Sequence, residues 1–287
     1  MPELPEVEVT RQGLLRDLPD QQLQSVCTSG KALRSFSGQA KVLRPLTGQR
    51  LLTIARRAKQ LIFVFDRHLM SVHLGMSGRL GWQTSAPSRL ALHDHVCWAF
   101  EAGSLVLHDP RRFGDVRLLP KPQGFDPSSA EHLMDLPADW LGQAASGLEP
   151  LSPGFTAQAL YAAARGVRQA LKVWLMRGDV VVGVGNIYAS EALFRAGLSP
   201  RRAAGRLSRA QAERLVQTIR QVLQEAIDHG GSTLRDFLAS DGEPGRYGGQ
   251  HLVYDRQGQP CLQCGAAIRR LVQAQRATYY CPGCQRG

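Results

Sequence analysis

The sequence predicts an α+β protein of two domains, and three observations carry that prediction. Short β-rich runs separated by turn signals fill residues 23–119, Ala/Leu-rich stretches without proline follow from about residue 156, and four cysteines cluster near the C-terminus. The first pattern is that of an antiparallel sandwich or barrel, the second that of a small helical unit, and the third that of a metal-held tail. The 287 residues, at roughly 150 per domain, give each half enough chain for its own core.

Residues 5–18 read as a helix with Pro5 in its first turn, where a missing N–H costs nothing. Strands are expected at 51–54, 61–65, 69–74, 95–100, 104–108 and 116–119, with Asp66-Arg67-His68 and Glu101-Ala102-Gly103 as hairpin turns. Residues 120–153, rich in Pro, Gly, Ser and Asp, mark a crossover between domains. Helices are expected over 156–176, over 187–196 with Gly197 and Pro200 as stops, and over 208–229 with Ser208 as cap and Gly230-Gly231 as terminator. A polar loop over 232–249 leads into a hairpin-like tail. The expected boundaries are 1–135 for the N-terminal domain, 136–152 for the linker, 153–245 for the helical domain and 246–287 for the tail.

A hydrophobic content of 43% with 21% charged residues excludes a disordered or fibrous chain. Lys and Arg number 35 against 24 Asp and Glu, a net charge of +11 that points to a polyanionic partner. The longest apolar stretches, such as 61–65, fall far short of the roughly 20 residues that span a bilayer, so no membrane partner is expected. Met1-Pro2-Glu3-Leu4-Pro5-Glu6 lacks the basic then apolar pattern of a secretory signal, so the protein is expected to stay in the cytoplasm. Cysteines in a reducing compartment are not disulfide staples.

Cys261-Leu262-Gln263-Cys264, sixteen intervening residues and Cys281-Pro282-Gly283-Cys284 match zinc spacing. Four thiolates close a tetrahedral Zn²⁺ site and leave no position for catalysis, so the metal is expected to be structural, one per chain. Arg269, Arg270 and Arg276 lie between the cysteine pairs, as phosphate contacts or as a solvated face. Gly183-Val184-Gly185-Asn186 opens a helix, as a phosphate-binding turn or as a site of close helix packing. Met1-Pro2 is a readily processed pair, and loss of Met1 would leave Pro2 as a secondary amine beside Glu3 and Glu6. His93-Asp94-His95 is rejected as a metal pair, because adjacent strand residues face opposite ways and no third ligand is near.

Taken together, the motifs resemble the bacterial formamidopyrimidine-DNA glycosylases of the Fpg/Nei family over the whole chain. They run in order from Met1–Glu8 through Arg56-Arg57-Ala58-Lys59, His73-Leu74-Gly75-Met76-Ser77-Gly78 and Asp109-Pro110-Arg111-Arg112-Phe113-Gly114 to Gly183–Tyr188 and the finger with Gln275-Arg276-Ala277-Thr278. The resemblance implies an N-terminal β-sandwich with flanking helices, a helix-two-turn-helix module and a Cys₄ zinc finger, with double-stranded DNA bound between, in a monomer. It implies a base-excision enzyme that removes oxidised purines and cuts the strand by β,δ-elimination. Pro2 would be the nucleophile, Glu3 the proton donor, Lys59 a third catalytic group and Glu6 a supporting carboxylate. Lys59, His73, Asn186 and Arg276 match positions that grip phosphates, Lys59 being read as mid-strand; His93 joins the DNA contacts. Met76, Arg112 and Phe113 match the groups that enter the duplex, Arg112 facing the orphaned base and Phe113 wedging the stack. Residues 232–246 fit the base-covering loop, and 246–251 are more glycine-rich than the family's stretch. Two rival readings are an endonuclease VIII-like enzyme for oxidised pyrimidines, against which Leu4 and Arg112-Phe113 argue, and a non-catalytic DNA-binding protein, which gives no reason for Pro2-Glu3.

Overall fold

The computed structural model describes residues 2–85, 87, 89–141, 146–232 and 245–286. The chain forms two compact units, residues 1–143 with 230–246 and residues 144–229 with 247–287. Residues 230–246 group with the first unit, where the Glu6 carboxylate accepts the Ser232 N–H at 2.8 Å.

The first unit opens with α1 (Leu4–Leu14) and continues through β1 (Leu23–Thr28), β2 (Leu51–Arg57), β3 (Gln60–Phe65), β4 (His68–His73), β5 (Arg79–Gln83), β6 (Asp94–Phe100), β7 (Ser104–His108) and β8 (Asp115–Pro120), followed by short helices α2 (Ala130–Met134) and α3 (Ala138–Leu141). Two antiparallel sheets, ordered β1-β6-β7-β5 and β2-β3-β4-β8, share one core built from both, with Phe63, Phe65, Met70, Trp98, Leu105 and Leu107 buried in it. This is a sandwich. β3 is buried along its whole length, which is why 61–65 reads as a continuous apolar run. β1 and β5, which the sequence reading did not enumerate, are the two edges of their sheet. Edge strands pair on one side only and carry polar residues, as Leu23–Thr28 does, so their pattern is weak.

Two corrections follow from backbone geometry. Lys59 is not mid-strand: β2 ends at Arg57, β3 starts at Gln60, and Ala58-Lys59 is the tight turn between them, with Ala58 at φ +55°. The helix expected over 156–176 is two helices, α4 (Ala157–Ala164) and α5 (Leu171–Leu175). Gly166, at φ +74°, ends the first in the left-handed conformation that glycine adopts without penalty. Residues 167–170 then pair with 203–205, as in Gly205 N–H to Val167 C=O at 2.8 Å.

The second unit continues with α6 (Asn186–Arg195) and α7 (Arg209–Asp228), against which α4 and α6 both pack, and ends in the hairpin β9 (Arg269–Gln273) and β10 (Arg276–Tyr280). Ser208 caps α7 in a reciprocal capping box with Gln211. The Glu191 carboxylate on α6, fully buried, accepts the N–H groups of Leu252, Val253 and Tyr254 at 2.8–3.0 Å and so fastens the chain that enters the finger.

Candidate active site and nucleic-acid interface

Pro2 and Glu3 are buried immediately before α1. Glu6 fixes their geometry, because its Oε2 accepts the Glu3 N–H at 2.8 Å while its Oε1 accepts that of Ser232. Gly231, at φ +82°, is required there, since a Cβ would lie 3.0 Å from Glu6 Oε1. Met1 and residues 233–244, the body of the expected base-covering loop, lie outside the described residues.

The turn that carries Lys59 joins the two strands on which α1 packs. Arg56 braces it, donating to the Ala58 carbonyl and to Glu8 Oε2, each at 2.9 Å. Burial pushes the Glu8 carboxyl up, but the hydrogen bonds and charges of Arg11 and Arg56 outweigh it and hold Glu8 below the ordinary range. Gln60 pairs with His73 across β3 and β4, which brings the Lys59 turn and His73 to one end of the sheet. The His73 pKa falls to about 4, through burial first and then the charges of Lys59 and Arg34. Its Nδ1 accepts the Gly75 N–H at 2.9 Å, so the proton of the neutral ring sits on Nε2 and that nitrogen is the donor available to a phosphate.

Met76 and Phe113, 39% and 41% exposed, stand on the neighbouring loops 74–78 and 109–114. Arg112 has φ +56° and reaches the Ala32 carbonyl at 3.5 Å, while Arg111 stacks on the Phe113 ring at 4.9 Å. His93, at φ +73°, offers its carbonyl to the Asp109 N–H of that second loop. Asp94 Oδ1 is taken by His108 Nδ1 at 2.8 Å.

In the second unit Lys172, 1% exposed, donates to Asn186 Oδ1 at 2.6 Å, the Ala277 carbonyl at 3.0 Å and Thr278 Oγ1 at 2.8 Å. One buried cation thus ties Asn186, the first residue of α6, to the strand that Arg276 begins. The sequence reading passed over Lys172, Arg111 and Asp109. Lys172 lies in an Ala/Leu-rich stretch with no local motif, but Arg111 and Asp109 stood inside a quoted motif, which was itself a signal.

The four cysteine sulfurs lie within 4.8 Å of one another, with Cys264–Cys281 at 3.4 Å and Cys261–Cys284 at 3.8 Å. A tetrahedron with Zn–S near 2.3 Å spaces its sulfurs about 3.8 Å apart, so the residues fit zinc. The Gln263 N–H points at Cys261 Sγ and the Cys284 N–H at Cys281 Sγ, as thiolate ligands require. The cluster holds a structural Zn²⁺. Among the described residues it is the one group of metal-ligating side chains so arranged, and no helix there is long and apolar enough to cross a membrane.

Three family models match the chain: the N-terminal domain of formamidopyrimidine-DNA glycosylase over residues 1–116, the H2TH domain of the same enzyme over 146–238, and a zinc finger found in FPG and IleRS over 258–287. The formamidopyrimidine-DNA glycosylase of Bordetella pertussis is 46% identical over 297 residues, covering all of both chains. A complex between the Lactococcus lactis Fpg and an abasic site containing DNA superposes with a TM-score of 0.85 at 30% identity, covering 99% of this chain and 100% of the other. The MutM (Fpg) protein from Thermus thermophilus gives 0.80 at 36% identity, covering 99% and 98%.

Two outcomes are expected from this geometry. Metal analysis should find one zinc per chain; a strong chelator should raise amide exchange throughout 258–286 while the sandwich keeps its protection, and Cys281→Ser should bind zinc at least about tenfold more weakly. His73 should titrate near pH 4 by NMR. Because the folded pKa lies below the unfolded value of about 6.5, the unfolded chain takes up the proton first, and stability should fall as pH drops from about 6.5 toward 4. His73→Asn should flatten that part of the stability curve.

Proposed function

The chain belongs to the formamidopyrimidine-DNA glycosylase family, and on that premise we propose that it is a bifunctional DNA glycosylase and abasic-site lyase that removes oxidised purines, 8-oxoguanine and formamidopyrimidines, from duplex DNA. The observation that carries the reading is the Pro2-Glu3 pair, buried at the start of α1 and held by Glu6.

With Met1 removed, the Pro2 nitrogen is a secondary amine whose neutral form the positive end of α1 favours. Its lone pair forms the N–C1′ bond as the glycosidic bond breaks and the base leaves with a proton. The sugar ring then opens, its O4′ taking a proton from Glu3, and the product is an iminium cation. That cation is an electron sink: loss of a C2′ proton expels the 3′ phosphate, and a second elimination expels the 5′ phosphate. A carboxylate nucleophile could not supply this step. Lys59 and the Nε2–H of His73 would grip phosphates beside the extruded nucleotide, with Asn186 and Arg276 doing so from the second unit. Met76, Arg112 and Phe113 would fill the gap left in the stack, offsetting the few kcal/mol that base extrusion costs.

Borohydride reduction of the protein on a duplex carrying 8-oxoguanine should trap a covalent adduct, and mass analysis after digestion should place the DNA on Pro2. Protein that keeps Met1 should bind the same duplex without excising the base, and Glu3→Gln should bind but lose most base release. An adduct on Lys59 would overturn the nucleophile, and preferential trapping on an oxidised pyrimidine would overturn the substrate class. Arg276→Ala should weaken binding to all DNA and reduce the salt slope by about one unit, the loss of one phosphate contact. Arg112→Ala should instead impair discrimination of the opposite base with the salt slope nearly unchanged.

A further inference from the structure

The loops that carry Met76 and Phe113 converge on one buried carboxylate. Asp109, 0% exposed, sits between β7 and β8. Its Oδ1 accepts the Ser77 hydroxyl at 2.8 Å and the Arg111 N–H at 3.3 Å, and its Oδ2 accepts the Gly114 N–H at 2.7 Å. Ser77 directly follows Met76, and Gly114 directly follows Phe113. The Asp109 backbone extends the junction: its N–H donates to the His93 carbonyl at 2.9 Å, and its carbonyl accepts from His95 Nε2 at 3.0 Å and from the Arg112 N–H at 3.2 Å.

Contact between the loops is equally close. Gly75 has φ +64°, and a Cβ there would lie 2.4 Å from the Phe113 carbonyl carbon. The loops therefore touch backbone to backbone while Met76 and Phe113 project into solvent. Side chains so exposed gain little rigidity from packing, so their direction depends on the backbone beneath them. A carboxylate accepts only, with room for several donors, and is suited to joining two loops that both present N–H or O–H groups.

We propose that Asp109 is a positioning residue that clamps the Met76 loop and the Arg112-Phe113 loop into one wedge, so that the two enter the base stack as a unit. This rests on the proposed function for what the wedge does, but not for the clamp itself. Two separately mobile loops would each lose conformational freedom on entering DNA, and a clamp that orders both beforehand removes that penalty from binding.

The test is Asp109→Ala, which removes both acceptor oxygens and so releases the Ser77 hydroxyl and the Arg111 and Gly114 N–H groups at once. Amide exchange should rise by about tenfold or more in both 74–78 and 109–114, with β3 and β6 unchanged. Ser77→Ala, which removes one arm, should also loosen 109–114. Exchange that rises in one loop alone, or in neither, overturns the clamp, and this readout needs no enzymatic activity. On a duplex with 8-oxoguanine, Asp109→Ala should excise at least about tenfold more slowly than wild type, while trapping on a single-stranded abasic oligonucleotide, which has no stack to open, should stay within about twofold. Equal losses on both would make Asp109 merely structural. A wild-type protein that traps nothing would refute the proposed function and leave the exchange experiment to decide the clamp.

Discussion

The arrangement of the first unit turns on the Glu6 carboxylate. It is 1% exposed and takes two backbone N–H groups, from Glu3 and from Ser232, the second 226 residues further along the chain. A buried carboxylate without partners is costly, and a helix N-terminus is where the backbone can best compensate it, with free N–H groups and the positive end of the dipole. This one group orients Pro2-Glu3, begins α1 and tethers residues 231–232. Asp109 and Glu191 repeat the device, each a buried carboxylate holding backbone donors of a segment that could not order itself.

Backbone strain is distributed in the same way. Seven non-glycine residues among those described have left-handed φ, and five of them, Ala58, His93, Arg112, Ala274 and Gln275, are candidate contact residues or lie within two positions of one. Such conformations cost of order 1 kcal/mol each and persist where the surroundings impose them. Ala274-Gln275 is the sharpest case: it forms the two-residue turn between β9 and β10, where Asn-Gly would serve better, and it delivers Arg276 as the first residue of β10.

Much of this was legible from residue order. Alternating and continuous apolar runs gave β2, β3, β4, β6, β7 and β8, and the cysteine spacing gave the metal centre. The edge strands β1 and β5 were missed because each buries a single residue, Leu23 and Leu80, whereas β2 and β8, the edges of the other sheet, bury more and were legible. The break at Gly166 was missed because one glycine in an Ala-rich stretch is compatible with a helix, and what stops this one is pairing with 203–205. The turn at Lys59 was missed because Arg57 to Gln60 holds no Gly, Asn or Pro, and its conformation is imposed by Arg56 and the adjoining strands. Asp109 and Lys172 share a further reason: their partners are distant in sequence, 32 residues away for Ser77 and 106 for Thr278, and no local pattern encodes such a bond.

The site's electrostatics fit a polyanion that arrives late. Burial and then the charges of Lys59, Arg34 and Arg117 disfavour the His73 imidazolium, with Asp115 alone opposing them. Burial of the ring and the nearby Lys59 and Arg34 charges thus act in the same direction. A phosphodiester placed between Lys59 and His73 would reverse the sign, since an anion favours both the ammonium and a donating imidazole. The net charge of +11 draws nucleic acid to the molecule in general; the Gln60–His73 pairing, which brings the Lys59 turn and the His73 Nε2–H to one end of the sheet, is what leads the proposed function to put a phosphate there.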